Sequence, residues 1–142
     1  MELVEKLRIT SESLGWVFNY GRRDFGNLVE AENENDNKWY FFLDPVTRTH
    51  ESNTIIYNGY YMLLSKSDLD QLYDGQNENN IEEGKWKMNI KPKLDFLNGS
   101  FEKLLTCDGT FEIIQQSVTD VINYFDENFD GVLVNFKIKQ YL

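Results

Sequence analysis

Asp126, Asn128 and Asp130 alternate along the chain and Gly131 follows them, the order in which oxygen ligands and a turn-permitting glycine open a calcium-binding loop. Such a loop closes on a bidentate glutamate eleven residues after its first ligand, and that position here is Lys137. The residues after Gly131 also alternate with period two instead of starting a helix. The same stretch serves a β-hairpin equally well. Asp and Asn make local turn hydrogen bonds, and Asp130-Gly131 offers positions that accept positive φ. The hairpin is the favoured reading, with Asp126, Asn128 and Asp130 kept as the metal candidates.

The remaining reactive side chains are few. His50 is the one histidine, so a two-histidine metal site is not available, and its setting in Thr47-Arg48-Thr49-His50-Glu51-Ser52 reads as an exposed polar turn. Cys107 is the one cysteine, which rules out an intrachain disulfide and suits a reducing compartment. Its neighbour Asp108 would oppose a thiolate by like-charge repulsion, which argues against a nucleophile. Gly21 and Gly26 lack the partners of a phosphate-binding or dinucleotide-binding glycine loop. Carboxylates are plentiful, but chance pairs in an acidic chain do not make a hydrolase. No catalytic residue and no cofactor is expected, and the chain reads as a non-enzyme.

The formal charge of −10, from 24 acidic and 14 basic residues, opposes nonspecific attraction to nucleic acid or to an anionic membrane. A hydrophobic share of 41% over 142 residues is ample for one core and short for two, so a single domain is expected. The N-terminal residues interleave charge with apolar side chains, and no later run approaches membrane-spanning length. A soluble protein without an export signal is expected.

The elements that must position these residues follow from periodicity. Leu3, Val4, Leu7 and Leu14 recur at near-helical intervals, with Thr10 to Ser13 either interrupting or continuing the turn. Trp16 to Tyr20 reads as extended, Phe25, Leu28 and Val29 as a weak helix, and Glu32 to Asn37 as a solvated loop. Lys38 to Leu43 is a buried strand stopped by Asp44-Pro45. Asn58-Gly59 between Thr54-Ile55-Ile56-Tyr57 and Tyr60-Tyr61-Met62-Leu63-Leu64 predicts a tight hairpin, with one long strand carrying a glycine bulge as the rival. Ser67 to Gly75 resembles a short helix and Gln76 to Gly84 a surface loop. Spacings of three and four over Trp86, Ile90, Leu94, Leu97, Phe101, Leu104 and Leu105 predict a helix after Pro92. Phe111 to Phe125 fits either a helical face or a strand. Beyond it, Val132, Val134, Phe136 and Ile138 share one face of a strand, with Asn135, Lys137 and Lys139 on the other. The expected fold is α+β: a mostly antiparallel sheet with a long C-terminal β-hairpin and two or three helices packed on it. The aromatic run from Tyr57 to Tyr61 would stack on sugars or on a partner if exposed, and otherwise fills the core.

Three groups of segments together resemble a small virion protein of tailed bacteriophages, the crAss-like and related phages of Bacteroidetes. They are Leu43-Asp44-Pro45-Val46-Thr47-Arg48; Gly59-Tyr60-Tyr61-Met62-Leu63-Leu64-Ser65-Lys66-Ser67-Asp68-Leu69-Asp70; and Val121-Ile122-Asn123 with Asp130-Gly131-Val132-Leu133-Val134-Asn135-Phe136. The resemblance implies a connector or tail-completion subunit, similar in layout to tail terminators, that forms a homo-oligomeric ring at the head-tail junction or tail. It is expected in the virion after synthesis in the host cytoplasm, touching portal, neck or tail proteins, with DNA passing through without specific binding and no membrane contact. Tyr60, Tyr61, Phe129, Val132, Val134, Phe136 and Ile138 are the candidate subunit contacts. Glu30, Glu32, Glu34 and Asp36, or Glu78, Glu82 and Glu83, would line a DNA-repelling lumen, although an ordinary solvated surface accounts for them more simply. The alternative function is an acidic cytoplasmic binding module or a phage-encoded inhibitor acting on a host protein.

Overall fold

The computed structural model describes residues 1–21, 38–66, 84, 86–124 and 129–142. Leu3, Leu7, Thr10 and Ser11 lie three and four apart, so a helix gathers them into one stripe, and they are the buried residues of α1 (Leu3–Ser13). Thr10 to Ser13 therefore continue the helix. It stops at Gly15, whose φ of 83° is left-handed. The Gly15 N–H donates to the Glu12 carbonyl and the Trp16 N–H to the Ser11 carbonyl, both at 3.0 Å. This paired closure needs a residue without a Cβ penalty, and it turns Trp16 into the core.

The strands are β1 (Val17–Tyr20), β2 (Trp39–Leu43), β3 (Thr47–Glu51), β4 (Thr54–Lys66), β5 (Phe111–Tyr124) and β6 (Phe129–Tyr141). They form one mixed six-stranded sheet in the order β1-β2-β4-β6-β5, with β3 also paired to β4. Among the described residues only β1 and β2 run parallel; the other pairings are antiparallel. β6 accompanies β4 along its whole length, whereas β2 and β3 divide the opposite side of β4 between them. The α+β expectation and the long C-terminal hairpin both hold, and residues 111–124 are strand.

Several local expectations are corrected. Asn58-Gly59 is not a turn: β4 runs straight through it in unbroken register with β6, and no bulge interrupts that pairing. Glycine suits this position because a Cβ would meet Val46 Cγ1 at 3.0 Å and the Phe136 ring at 3.2 Å, so the residue marks a close approach that a larger side chain would tighten. The hairpin turn instead falls at Ser52-Asn53, which moves His50 from the expected polar turn into exposed strand β3. Asp130-Gly131 likewise lies inside β6, with Gly131 opposite both Leu64 and Val121. A Cβ on Gly131 would fall 2.9 Å from Leu64 Cα, so close strand approach selects glycine here too. The expectations for Phe25, Leu28 and Val29, for Ser67 to Gly75, for most of Gln76 to Gly84, and for the acidic residues between 30 and 36 and between 78 and 83 fall outside the described residues.

The long helix begins before Pro92, not after it. We call residues 86–106 α2; it comprises a π-turn (Trp86–Ile90), an α segment (Lys91–Phe96), a second π-turn (Leu97–Phe101) and a final α segment (Glu102–Thr106). Proline lacks the N–H of a regular helix interior, and it sits in the first turn of an α segment, where that donor is not needed. The wider π-turns occupy the stretch ahead of Pro92 and the stretch containing Gly99, the places where regular bonding is weakest.

Strand alternation divides the sheet into two faces. Phe41, Leu43, Tyr57, Tyr61, Leu63, Val132, Val134, Phe136 and Ile138 share a cluster with Leu3, Leu7, Ile90, Leu97, Phe101 and Leu105, so this face lies under α1 and α2. Trp16 stacks on Phe101 with centroids 5.6 Å apart, and Phe41 stacks on Tyr61 at 4.4 Å. On the second face Tyr40, Phe42, Met62, Leu64 and Phe129 form a smaller buried cluster. Among the described residues, no helix is long and apolar enough to cross a membrane.

Candidate functional site

The two faces carry two polar clusters. On the covered face Trp39, Ser65 and Asp130 occupy one rung of the sheet, Trp39 opposite Ser65 and Ser65 opposite Asp130. α2 lowers Lys93 onto this rung. Its amine donates to Ser65 Oγ at 2.7 Å and to the Asn89 carbonyl, and lies 4.9 Å from the centroid of the Trp39 ring. Asn89 Nδ2 in turn donates to Asp130 Oδ2 at 3.1 Å. Lys93, Ser65 and Asp130 are all buried, at 0%, 6% and 0% exposure. Burial pushes the Lys93 pKa down to about 7, with the Asp130 carboxylate opposing that shift. The arrangement satisfies the Lys93 amine internally and ties α2 to the end of β4.

On the second face two adjacent rungs are polar. One runs Thr47, Asn58, Lys137, Gln115 and the next runs Tyr60, Asn135, Ser117. Because Gly59 and Phe136 between them present only backbone to this side, the rungs frame a shallow cavity of about 490 Å³. Asn58, Asn135, Gln115 and Ser117 are exposed, while Tyr60 and Lys137 are half-buried. Amide and hydroxyl groups that both donate and accept thus converge from four neighbouring strands.

The residues singled out from the sequence separate between these places. Tyr61, Phe129, Val132, Val134, Phe136 and Ile138 are between 0% and 5% exposed, and what they touch is this chain's own interior. Their alternation reflects core packing, which a sequence presents in the same form as a subunit contact. Tyr60 alone of that set reaches the surface, at the border of the polar cavity. Asp126 and Asn128 lie outside the described residues. Asp130 is buried beside Lys93 and Asn89, so its described neighbours are an amide and an ammonium. Among the described residues no three His, Cys, Asp or Glu side chains group closely enough to hold a metal ion. His50 is exposed on β3, and Cys107 is exposed in the turn after α2. The thiol lies 3.7 Å from the Leu104 carbonyl. The Thr110 N–H, 2.9 Å from Asp108 Oδ1, holds the Asp108 carboxyl below its usual range.

Sequence reasoning missed Lys93 and the polar cavity. Lys93 falls three residues after Ile90 and four before Leu97, on the apolar stripe itself, and that spacing was the available signal. The cavity depends on strand register across β3, β4, β6 and β5, for which the sequence offers no local signal. No family model matches the chain, and no curated protein matches it.

Proposed function

We propose that this chain is a structural subunit that assembles with copies of itself into a ring, as a connector or tail-terminator-like component of a tailed bacteriophage. The observation that carries the reading is the edge of the sheet. β5 is a 14-residue strand, and among the described residues it is paired on one side only, by β6. Its pairing shifts between Ile113 and Gln115 and between Val121 and Tyr124, leaving a regular stretch from Gln115 to Val121. That stretch holds a single charged residue, Asp120, and no proline, so it lacks most of the devices by which edges avoid pairing. An open sheet whose two edges differ can join one edge of a copy to another surface of the next, and such heterologous contacts close into rings.

Two further points favour the phage setting. The segments that resemble the virion family are far apart in sequence yet adjacent in the sheet: Leu43 faces Tyr61, Tyr61 faces Val134, and Gly131 faces Val121. A net charge of −10 would also keep a DNA passageway from holding its cargo. The same charge favours the second reading, an acidic module that binds a basic surface of a host protein and remains monomeric. Negative-stain imaging of the purified protein at high concentration separates the two. Closed rings of uniform diameter are expected; a field of particles no larger than one subunit would contradict the ring and move the search to a host partner.

A further inference from the structure

We propose that the cavity on the second face is a binding site for a short neutral saccharide. Its volume of about 490 Å³ falls within the range of small-ligand sites and accommodates one or two sugar rings. Its chemistry narrows the ligand. Asn58, Asn135 and Gln115 each present an amide oxygen and an amide nitrogen, the combination that meets adjacent hydroxyl groups acting as donor and acceptor together. Ser117 adds a hydroxyl, and Tyr60 adds an aromatic side chain against which the C–H face of a sugar ring can lie.

The charges point the same way. Among the described residues no carboxylate lines this cavity, and Lys137 is the one charged side chain that does. The nearest carboxylate along β5 on this face is Glu112, which faces Lys139 on the next rung and accepts a hydrogen bond from Tyr141 at 2.8 Å. A metal-assisted or strongly anionic ligand would want more than one cation, whereas a polyol needs the uncharged donors and acceptors that are present. The backbones of four paired strands fix where these side chains start, so a ligand has side chains to order but no loop. Gln115 and Ser117 lie on the edge strand of the proposed assembly contact, whereas Asn58, Tyr60, Asn135 and Lys137 lie on interior strands, so a loss of sugar binding in Asn135→Ala is separable from a loss of assembly.

The test is saturation-transfer NMR on the intact chain with free glucose, galactose, N-acetylglucosamine, their β-linked disaccharides and glucuronic acid as probes at millimolar concentration. Transfer to at least one neutral sugar is expected. Titration of that sugar should then weaken by about fivefold or more in Asn135→Ala and in Gln115→Ala, the loss of a single hydrogen bond apiece. Both side chains are exposed, so these variants should keep the wild-type melting temperature, and Asp95→Asn on α2 should bind as wild type. No transfer to any probe, transfer confined to glucuronic acid, or affinity unchanged in both alanine variants would overturn the proposal.

Discussion

Among the described residues both polar clusters contain a lysine, Lys93 reaching a sheet rung from α2 and Lys137 standing on one, and they differ in everything that surrounds it. Lys93 is sealed between α2 and the rung Trp39, Ser65, Asp130, where it must find its partners within the chain. Lys137 stands on the second face among Asn58, Gln115 and Asn135, whose polar groups look outward. A buried polar cluster that satisfies itself specifies one arrangement of helix on sheet, while an outward one leaves its hydrogen bonds for something else. The comparison separates the part of the molecule that fixes structure from the part available for recognition.

The largest effect should come from the tightly packed neighbourhood of the sealed cluster. Gly131 follows Asp130 in β6, and a Cβ there would run into the Leu63 carbonyl and the backbone of Leu64. Gly131→Ala should lose about 4 kcal/mol or more, read as a fall in the denaturation midpoint. The second effect is a pH dependence. Because Lys93 is held near pKa 7 in the folded chain against 10.5 in the unfolded one, only the unfolded chain carries its proton between those values. Stability should therefore rise with pH from about 7 to 10.5, by roughly 3–5 kcal/mol across the window, and lose that benefit on return to pH 7. Urea unfolding at a series of pH values should show the rise in wild type and a flatter profile in Lys93→Met.

Smaller changes sharpen the same contrast within the covered face. Tyr57 donates its hydroxyl proton to Gln140 Oε1 at 2.6 Å in a buried setting, and Gln140 Nε2 donates to the Met1 carbonyl at 2.8 Å. Tyr57→Phe should cost about 1–2 kcal/mol, because the Gln140 oxygen is left buried without its donor. Tyr61 stands in the same cluster, but its hydroxyl is buried with no hydrogen-bond partner among the described residues, and burial drives its pKa far upward. Tyr61→Phe removes an unsatisfied group and should raise stability by about 1 kcal/mol, the opposite sign for the same substitution. At the outward cluster Asn135→Ala should change stability by no more than about 0.5 kcal/mol. A large loss there would place this cluster with the structural one and dissolve the comparison.

What the sequence disclosed follows the same division. Period-two alternation from Val132 to Ile138 and the three-and-four spacing from Ile90 to Leu105 announce faces that must be buried, so β6 and α2 were legible. Local turn chemistry was less reliable, since Asn58-Gly59 and Asp130-Gly131 are glycine-containing pairs chosen for close approach and not for a turn. Nothing local distinguishes those two uses. Lys93 was hidden by its residue type, and the polar cavity by its dependence on four strands brought into register by tertiary pairing. Tyr61, Phe129, Val132, Val134, Phe136 and Ile138 looked like contact residues because a core face and an interface face share one pattern. Only the fold tells them apart.

The proposed ring requires copies of this chain to associate through the edge of the sheet at β5. Val118 lies in the regular stretch of that edge, opposite the core residue Val134, and is 37% exposed, so Val118→Lys should place a charge at the contact while its long side chain can still reach solvent. The direct measurement is molar mass by light scattering over a wide concentration range, for wild type and Val118→Lys, with circular dichroism confirming that both are folded. A discrete oligomer is expected for wild type and a monomer for the variant. A wild type that stays monomeric at every concentration, or a variant that assembles as wild type does, would contradict it.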